Sequence, residues 1–223
     1  MGRMIGSSSI SFDKPPFIIE GASIVGRKEG DGPLGKLFDV VEQDPMLGQE
    51  TWEEAESLLQ KEAIQKLLFK AGMSKEEIRY IFGGDLLGQL IATTFGILEF
   101  EVPFFGLYGA CSTMGEALSL GAVMVEAGNA DNVIAMASSH FASAERQFRF
   151  PLAYGKQRPY AATWTVTGCG AVIISTKKGF AKITGITTGK IVDFGVKDAQ
   201  NMGACMAPAA ADVIYQHFKD FNR

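Results

Sequence analysis

Four side chains able to do chemistry fall at the ends of apolar runs: Asp85, Cys111, Ser139 and His140. Cys111 sits in a tight Gly109-Ala110-Cys111 corner between an apolar run and a helix that Ser112 or Thr113 can cap. Helix-terminal N–H groups and the helix dipole favour a thiolate there, so the thiol is a candidate nucleophile or ligand contact. The plainer alternative is a buried structural thiol. His140 closes the run NVIAMASSH and reads either as a pocket-lining group or as a satisfied histidine under the following loop. Asp85 can face a ligand or simply cap the helix expected over 86–98, on which Thr93 and Thr94 are further hydroxyl candidates. Glu145, Arg146 and Arg149 form a charged cluster. Arginine suits a carboxylate through paired N–H donors, although most such clusters are solvated ion-pair faces. Acyl transfer at Cys111 needs a base and an oxyanion hole. His140 is the one histidine close to the thiol on this reading, since His217 lies in the last helix, so binding is expected over catalysis.

These residues need elements to hold them. Phe17 to Val25 reads as a first strand, followed by a long Gly-, Pro- and Asp-rich loop over 26–49. Thr51 starts a helix with Glu53 and Glu54 in its first turn; Ala55, Leu58, Leu59, Ala63 and Leu67 keep 3–4 spacing, and Gly72 stops it. A strand is expected around 79–82, another over 102–108, a helix over 112–128 and a strand over 132–138. The 112–128 helix carries few charges and reads as buried on all sides. The stretch AERQFRFPLAYGKQRPY reads as a loop, 163–176 and 181–192 as strand-forming, and 201–218 as a helix that begins near Pro208. Alternating strands and helices predict an α/β fold on a mostly parallel sheet. Ligands collect at the carboxyl ends of such strands, where Asp85, Cys111 and His140 would emerge together.

The 223 residues are 47% apolar and 21% charged, enough for a sizeable core and unlike a disordered chain. A net charge of −4 with no basic run argues against a nucleic-acid partner. No apolar run reaches the ~18 residues of a membrane span, and the start lacks a signal peptide's apolar segment. Cys111, Cys169 and Cys205 are odd in number and far apart, so neither a disulfide framework nor a metal site is expected; Cys169 and Cys205 read as buried small hydrophobes. A soluble intracellular chain is the expectation, with residues 1–16 a flexible arm.

The strand–Cys–helix element and the later SSH resemble the amino-terminal half of the thiolase fold, the fold of thiolases and ketoacyl synthases. A closer resemblance is to the stage V sporulation protein AD family of spore formers. It rests on DGPLG (31–35), GDLL (84–87), GACST (109–113), SSH (138–140), AERQFR (144–149), TVTG (165–168) and MAPAAAD (206–212). The resemblance implies a thiolase-like half over 17–180, the start of a second half over 181–223, and most of that second half missing. It implies binding of dipicolinic acid (pyridine-2,6-dicarboxylate), with no cofactor beyond calcium carried as the ligand's chelate. Uptake into the forespore and release in germination would follow, beside other subunits of a transport complex at the spore inner membrane. Site residues on this reading are Cys111, His140, Asp85, Thr93, Ser139, Arg146 and Arg149. The alternatives are a thiolase- or ketoacyl synthase-type acyltransferase using Cys111, and a scaffold subunit without a ligand. Self-association is expected, because half of a two-half fold leaves one side of the 112–128 helix uncovered.

Overall fold

A computed structural model describes residues 2–148, 165–198 and 201–223. Its centre is a mixed sheet in the order β4-β3-β8-β7-β5-β6, with β9 (Ala181–Lys182) beside β3. The members are β3 (Phe17–Gly26), β4 (Val40–Glu42), β5 (Tyr80–Asp85), β6 (Phe104–Gly106), β7 (Asn132–Ser139) and β8 (Gly168–Ser175). β3 pairs parallel with β4, and β5 pairs parallel with both β6 and β7. β8 lies antiparallel between β3 and β7, so those two run the same way. Five strands therefore end on one edge, as the expected parallel sheet requires. Gly168 and Gly170 do not interrupt β8, which is continuous.

A one-turn helix, α1 (Arg27–Gly30), follows β3, and one long helix covers each face of the sheet. α2 (Trp52–Ala71) begins at a reciprocal capping box between Thr51 and Glu54 and ends at Gly72, whose φ of 62° suits glycine. Its stripe of Leu59, Ala63, Ile64 and Leu67 packs with Ile81, Ile134 and Met136 from one face of the sheet. α4 (Thr113–Glu126) packs Ala117 and Val125 against Phe82, Val133 and Ala135 on the opposite face. Gly121 lets it approach closely, since a Cβ there would lie 2.9 Å from Ile174 Cδ1 and 3.1 Å from Val133 Cγ2.

Several expectations need correction. α4 is not buried on all sides: its sheet-facing residues are covered and Leu120 is 41% exposed, because among the described residues a single layer packs on this helix. The 86–98 helix is shortened to α3 (Ile91–Ile97), because Gln89 and Leu90 take positive φ values that a helix excludes. The strand expected over 102–108 shrinks to three residues of β6; Pro103 has no N–H to give and only accepts, from the Ile81 N–H. The supposed loop after His140 opens with α5 (Phe141–Phe148), where Ala144, Glu145 and Gln147 are good helix formers. Residues 181–192 hold two short strands, β9 and β10 (Gly185–Thr187). α6 (Met202–Asp220) starts well before Pro208, with the Asn201 side chain accepting from the Ala204 N–H as its cap.

The amino-terminal arm is ordered structure. β1 (Arg3–Ile5) and β2 (Ser9–Ser11) form a hairpin whose second strand pairs with β10. Asp220 of α6 accepts from the Ser7 and Ser8 N–H groups and the Ser9 hydroxyl. Residues 7–9 read as part of a loose arm in the sequence and instead satisfy a carboxylate from α6 with two backbone N–H groups and one hydroxyl.

Candidate functional site

The carboxyl edge of the sheet brings the candidates to one side of the molecule. Asp85 stands in register with Ser138 on β7, and Gly83 with Gly106 on β6, so the chain emerging from all three strands meets there. Strand alternation then divides the group. Asp85 and Ser138 share the face that carries α2, whereas Ser139 shares the α4 face with Val133 and Ala135.

On the α2 face lies a buried polar network. Asp85 is fully buried and accepts from the Leu90 N–H, the Thr93 N–H and the Thr93 hydroxyl. It organises the turn into α3, the plainer of the two roles expected for it. Thr93 Oγ1 also accepts from Gln60 Nε2 at 3.1 Å, and the same amide reaches Ser138 Oγ at 2.6 Å. Ser138 in turn donates to Glu56 Oε1 at 2.7 Å, and Ser143 of α5 donates to Glu56 Oε2 at 2.6 Å. Burial pushes the Glu56 carboxyl up to about 7, opposed by the two serine hydroxyls and reinforced by Asp85. Cys169 of β8 is buried as expected, and burial, with Glu56 nearby, raises its thiol well above the ordinary range. Glu56, Gln60 and Ser143 escaped the sequence reading. The usable signal was a polar pair four residues apart on the same stripe of α2 as Leu59, Ala63 and Leu67.

His140 is fully buried between two aromatic rings, its centroid 5.3 Å from Trp52 and 5.0 Å from Phe141. Its Nδ1 accepts from the Ala142 N–H, which leaves Nε2–H to donate to the Pro45 carbonyl at 2.8 Å. Both nitrogens are thus committed in the neutral ring, and burial holds its pKa below the usual histidine value. The ring fastens the 43–49 loop over the start of α5.

Cys111 is exposed on a single 3-10 turn, Ala110–Ser112, between β6 and α4. Ala110 holds a φ of 49°, Ser112 Oγ donates to the Gly109 carbonyl, and the Thr113 hydroxyl accepts from the Gly109 N–H. The corner therefore presents its thiol outward, unlike the buried structural thiol that was the plainer alternative. On the α4 face, Ser139 Oγ is buried and has no hydrogen-bond partner among the described residues. Cys205, expected to be buried, is exposed on α6, which buries none of its own residues. Arg146 falls on α5 with its side chain outside the described atoms, and Arg149 lies outside the described residues.

A cavity of about 440 Å³ opens on the same edge, at the ends of β3 and β4. Leu47, Leu59 and Phe141 make its apolar part, and Arg27, Lys28 and Glu42 stand among its charged lining. Four strand steps separate β3 from β6, on the order of 19 Å at the usual strand spacing, so this hollow and the Cys111 corner are distinct places.

Comparison with known proteins agrees with the architecture. The chain matches the family model described as stage V sporulation protein AD over residues 6–223. It is 43% identical over 221 residues to the stage V sporulation protein AD of Bacillus subtilis (strain 168), covering 99% of this chain and 65% of that protein. The chain thus spans just under two thirds of the length of its curated relative. Among solved structures, a Xanthomonas campestris OleA variant superposes with a TM-score of 0.52 at 12% identity, over 99% of this chain and 74% of that one. The same variant bound with cerulenin gives 0.52 at 14% identity, over 99% and 72%. At such identities the likeness concerns the fold alone, and it is the thiolase-like fold. The chain belongs to the stage V sporulation protein AD family.

Proposed function

We propose that this chain binds dipicolinic acid without chemical turnover, for its uptake into the forespore in sporulation and its release in germination. The observation that carries the non-catalytic reading is the state of His140. A histidine that activates Cys111 needs a free, accessible nitrogen, and both nitrogens of this ring are spent inside the protein. The binding surface is the α4 side of the carboxyl edge, with the Cys111 thiol and the buried Ser139 hydroxyl, unpartnered among the described residues, as contacts. Arg146 and Arg149 are the proposed partners for the ligand's carboxylates, where paired N–H donors give both energy and geometry. Calcium enters, if at all, with the ligand as its chelate. Family membership supports a role in sporulation, and association with other subunits at the spore inner membrane belongs to the same proposal. Among the described residues no helix is long and apolar enough to cross a membrane, which fits peripheral attachment.

Titration calorimetry with dipicolinate, with and without calcium, tests the reading on this chain and on a form extended to the relative's length. Saturable binding weakened by Ser139→Ala and Cys111→Ala is expected, and no binding by the extended form refutes it. The exposed thiol keeps one competitor open: a Cys111 acyltransferase would gain the mass of an acyl group from an acyl-CoA and lose that gain in Cys111→Ala.

A further inference from the structure

The hydrogen-bonding around Glu56 has a property that its place in the core does not require. Two hydroxyls donate to it, one to each oxygen: Ser138 from β7 and Ser143 from α5. Ser143 Oγ also lies 3.1 Å from the His140 carbonyl oxygen, so its hydrogen has a second acceptor. With Glu56 ionised, the Ser143 hydrogen points to Glu56 Oε2. With Glu56 protonated at Oε2, the acid donates to Ser143 Oγ and the Ser143 hydrogen turns to the His140 carbonyl. Both states are fully bonded, and only one proton and one hydroxyl rotation separate them.

We propose that Glu56 is a reversible proton site that sets how firmly α5 docks on α2 beneath the carboxyl edge. The other groups facing it fix the direction. Asp85 of β5 and Glu53 of α2 itself both raise its proton affinity, and Cys169 of β8 and His140 before α5 are held neutral by burial. The described contacts bring it no cation, so the ionised carboxylate gains most from water, and water is reached by loosening α5. Protonation favours the docked helix and deprotonation the loosened one. Taking 4.5 for a hydrated carboxyl and about 7 for the docked one, the opening constant of α5 rises up to about tenfold from pH 6 to pH 8.

Amide hydrogen exchange of α5, corrected for intrinsic exchange and followed at the Ala144 N–H that bonds to the His140 carbonyl, reads this constant without any ligand. Protection is expected to fall several-fold, up to about tenfold, between pH 6 and pH 8, and to be level in Glu56→Gln. In Ser143→Ala, which removes the α5 bond and keeps the carboxyl, the fall should move to higher pH. Protection that stays within twofold in the parent chain, or a fall that persists unchanged in Glu56→Gln, overturns the proposal. If Glu56→Gln does not fold, an unmoved titration in Ser143→Ala overturns it.

Discussion

Replacing Glu56 by glutamine should make the protein more stable at neutral pH, although it alters a residue bonded to two elements. The folded-state pKa of about 7 stands above the 4.5 of a hydrated glutamate, so the native state holds this proton more tightly than the unfolded chain. Stability from that difference is complete below about pH 4.5, declines as the unfolded chain ionises, and is gone above about pH 7. Integrated between pH 5 and pH 8 the loss is on the order of 2–3 kcal/mol, from 1.36 kcal/mol per pKa unit. Glutamine has the same shape and no such loss. Its oxygen still accepts from one serine, and its amide must turn the other serine around, at a cost on the order of 1 kcal/mol. Urea denaturation of both chains at pH 5, 6, 7 and 8 gives the difference free of that constant cost. The stability gap should change by roughly 2–3 kcal/mol in favour of Glu56→Gln across the series. A gap that stays constant within 0.5 kcal/mol, roughly the error of such measurements, would instead show that Glu56 is ionised in both states.

Other consequences follow from the same structure. Asp85→Ala leaves two buried donors of Thr93 and the half-buried Leu90 N–H without an acceptor and should cost roughly 3 kcal/mol, with α3 losing exchange protection first; a loss below 1 kcal/mol would contradict the capping role. Brief alkylation of the folded chain followed by mass spectrometry should modify Cys111 and Cys205 and spare Cys169 until the protein unfolds; early labelling of Cys169 would contradict its burial. The open side of α4 carries Leu120, so analytical ultracentrifugation should show concentration-dependent self-association that Leu120→Lys weakens. A strictly monomeric parent chain would contradict that.

The sheet was legible because its strands are apolar runs that end at small or polar residues, and α2 because a capping box and a glycine mark its limits. The carboxyl edge followed from the strand–helix alternation alone. What stayed hidden depended on partners distant in sequence. Whether Asp85 faces a ligand or a helix turn is decided by Gln89 and Leu90 adopting positive φ, which neither residue type advertises. His140 could be a base or a structural ring until the loop carbonyl of Pro45, 95 residues away, was found on its Nε2. The division of the site between two faces follows from strand alternation at Ser138 and Ser139. It could have been read once β7 was placed, and Glu56 and Gln60 on the apolar stripe of α2 would then have pointed to the serine facing them.

In the proposed function, Ser139 and Cys111, on the α4 side of the edge, line a site that binds dipicolinate and leaves it unchanged. The most direct measurement is calorimetric titration of the extended form with dipicolinate, beside its Ser139→Ala variant and a Glu42→Gln variant in the distant cavity. Saturable binding that recovers unaltered ligand is expected, weakened severalfold in Ser139→Ala and untouched by Glu42→Gln. Binding that is lost in Glu42→Gln and unchanged in Ser139→Ala, or no binding at all, would contradict it.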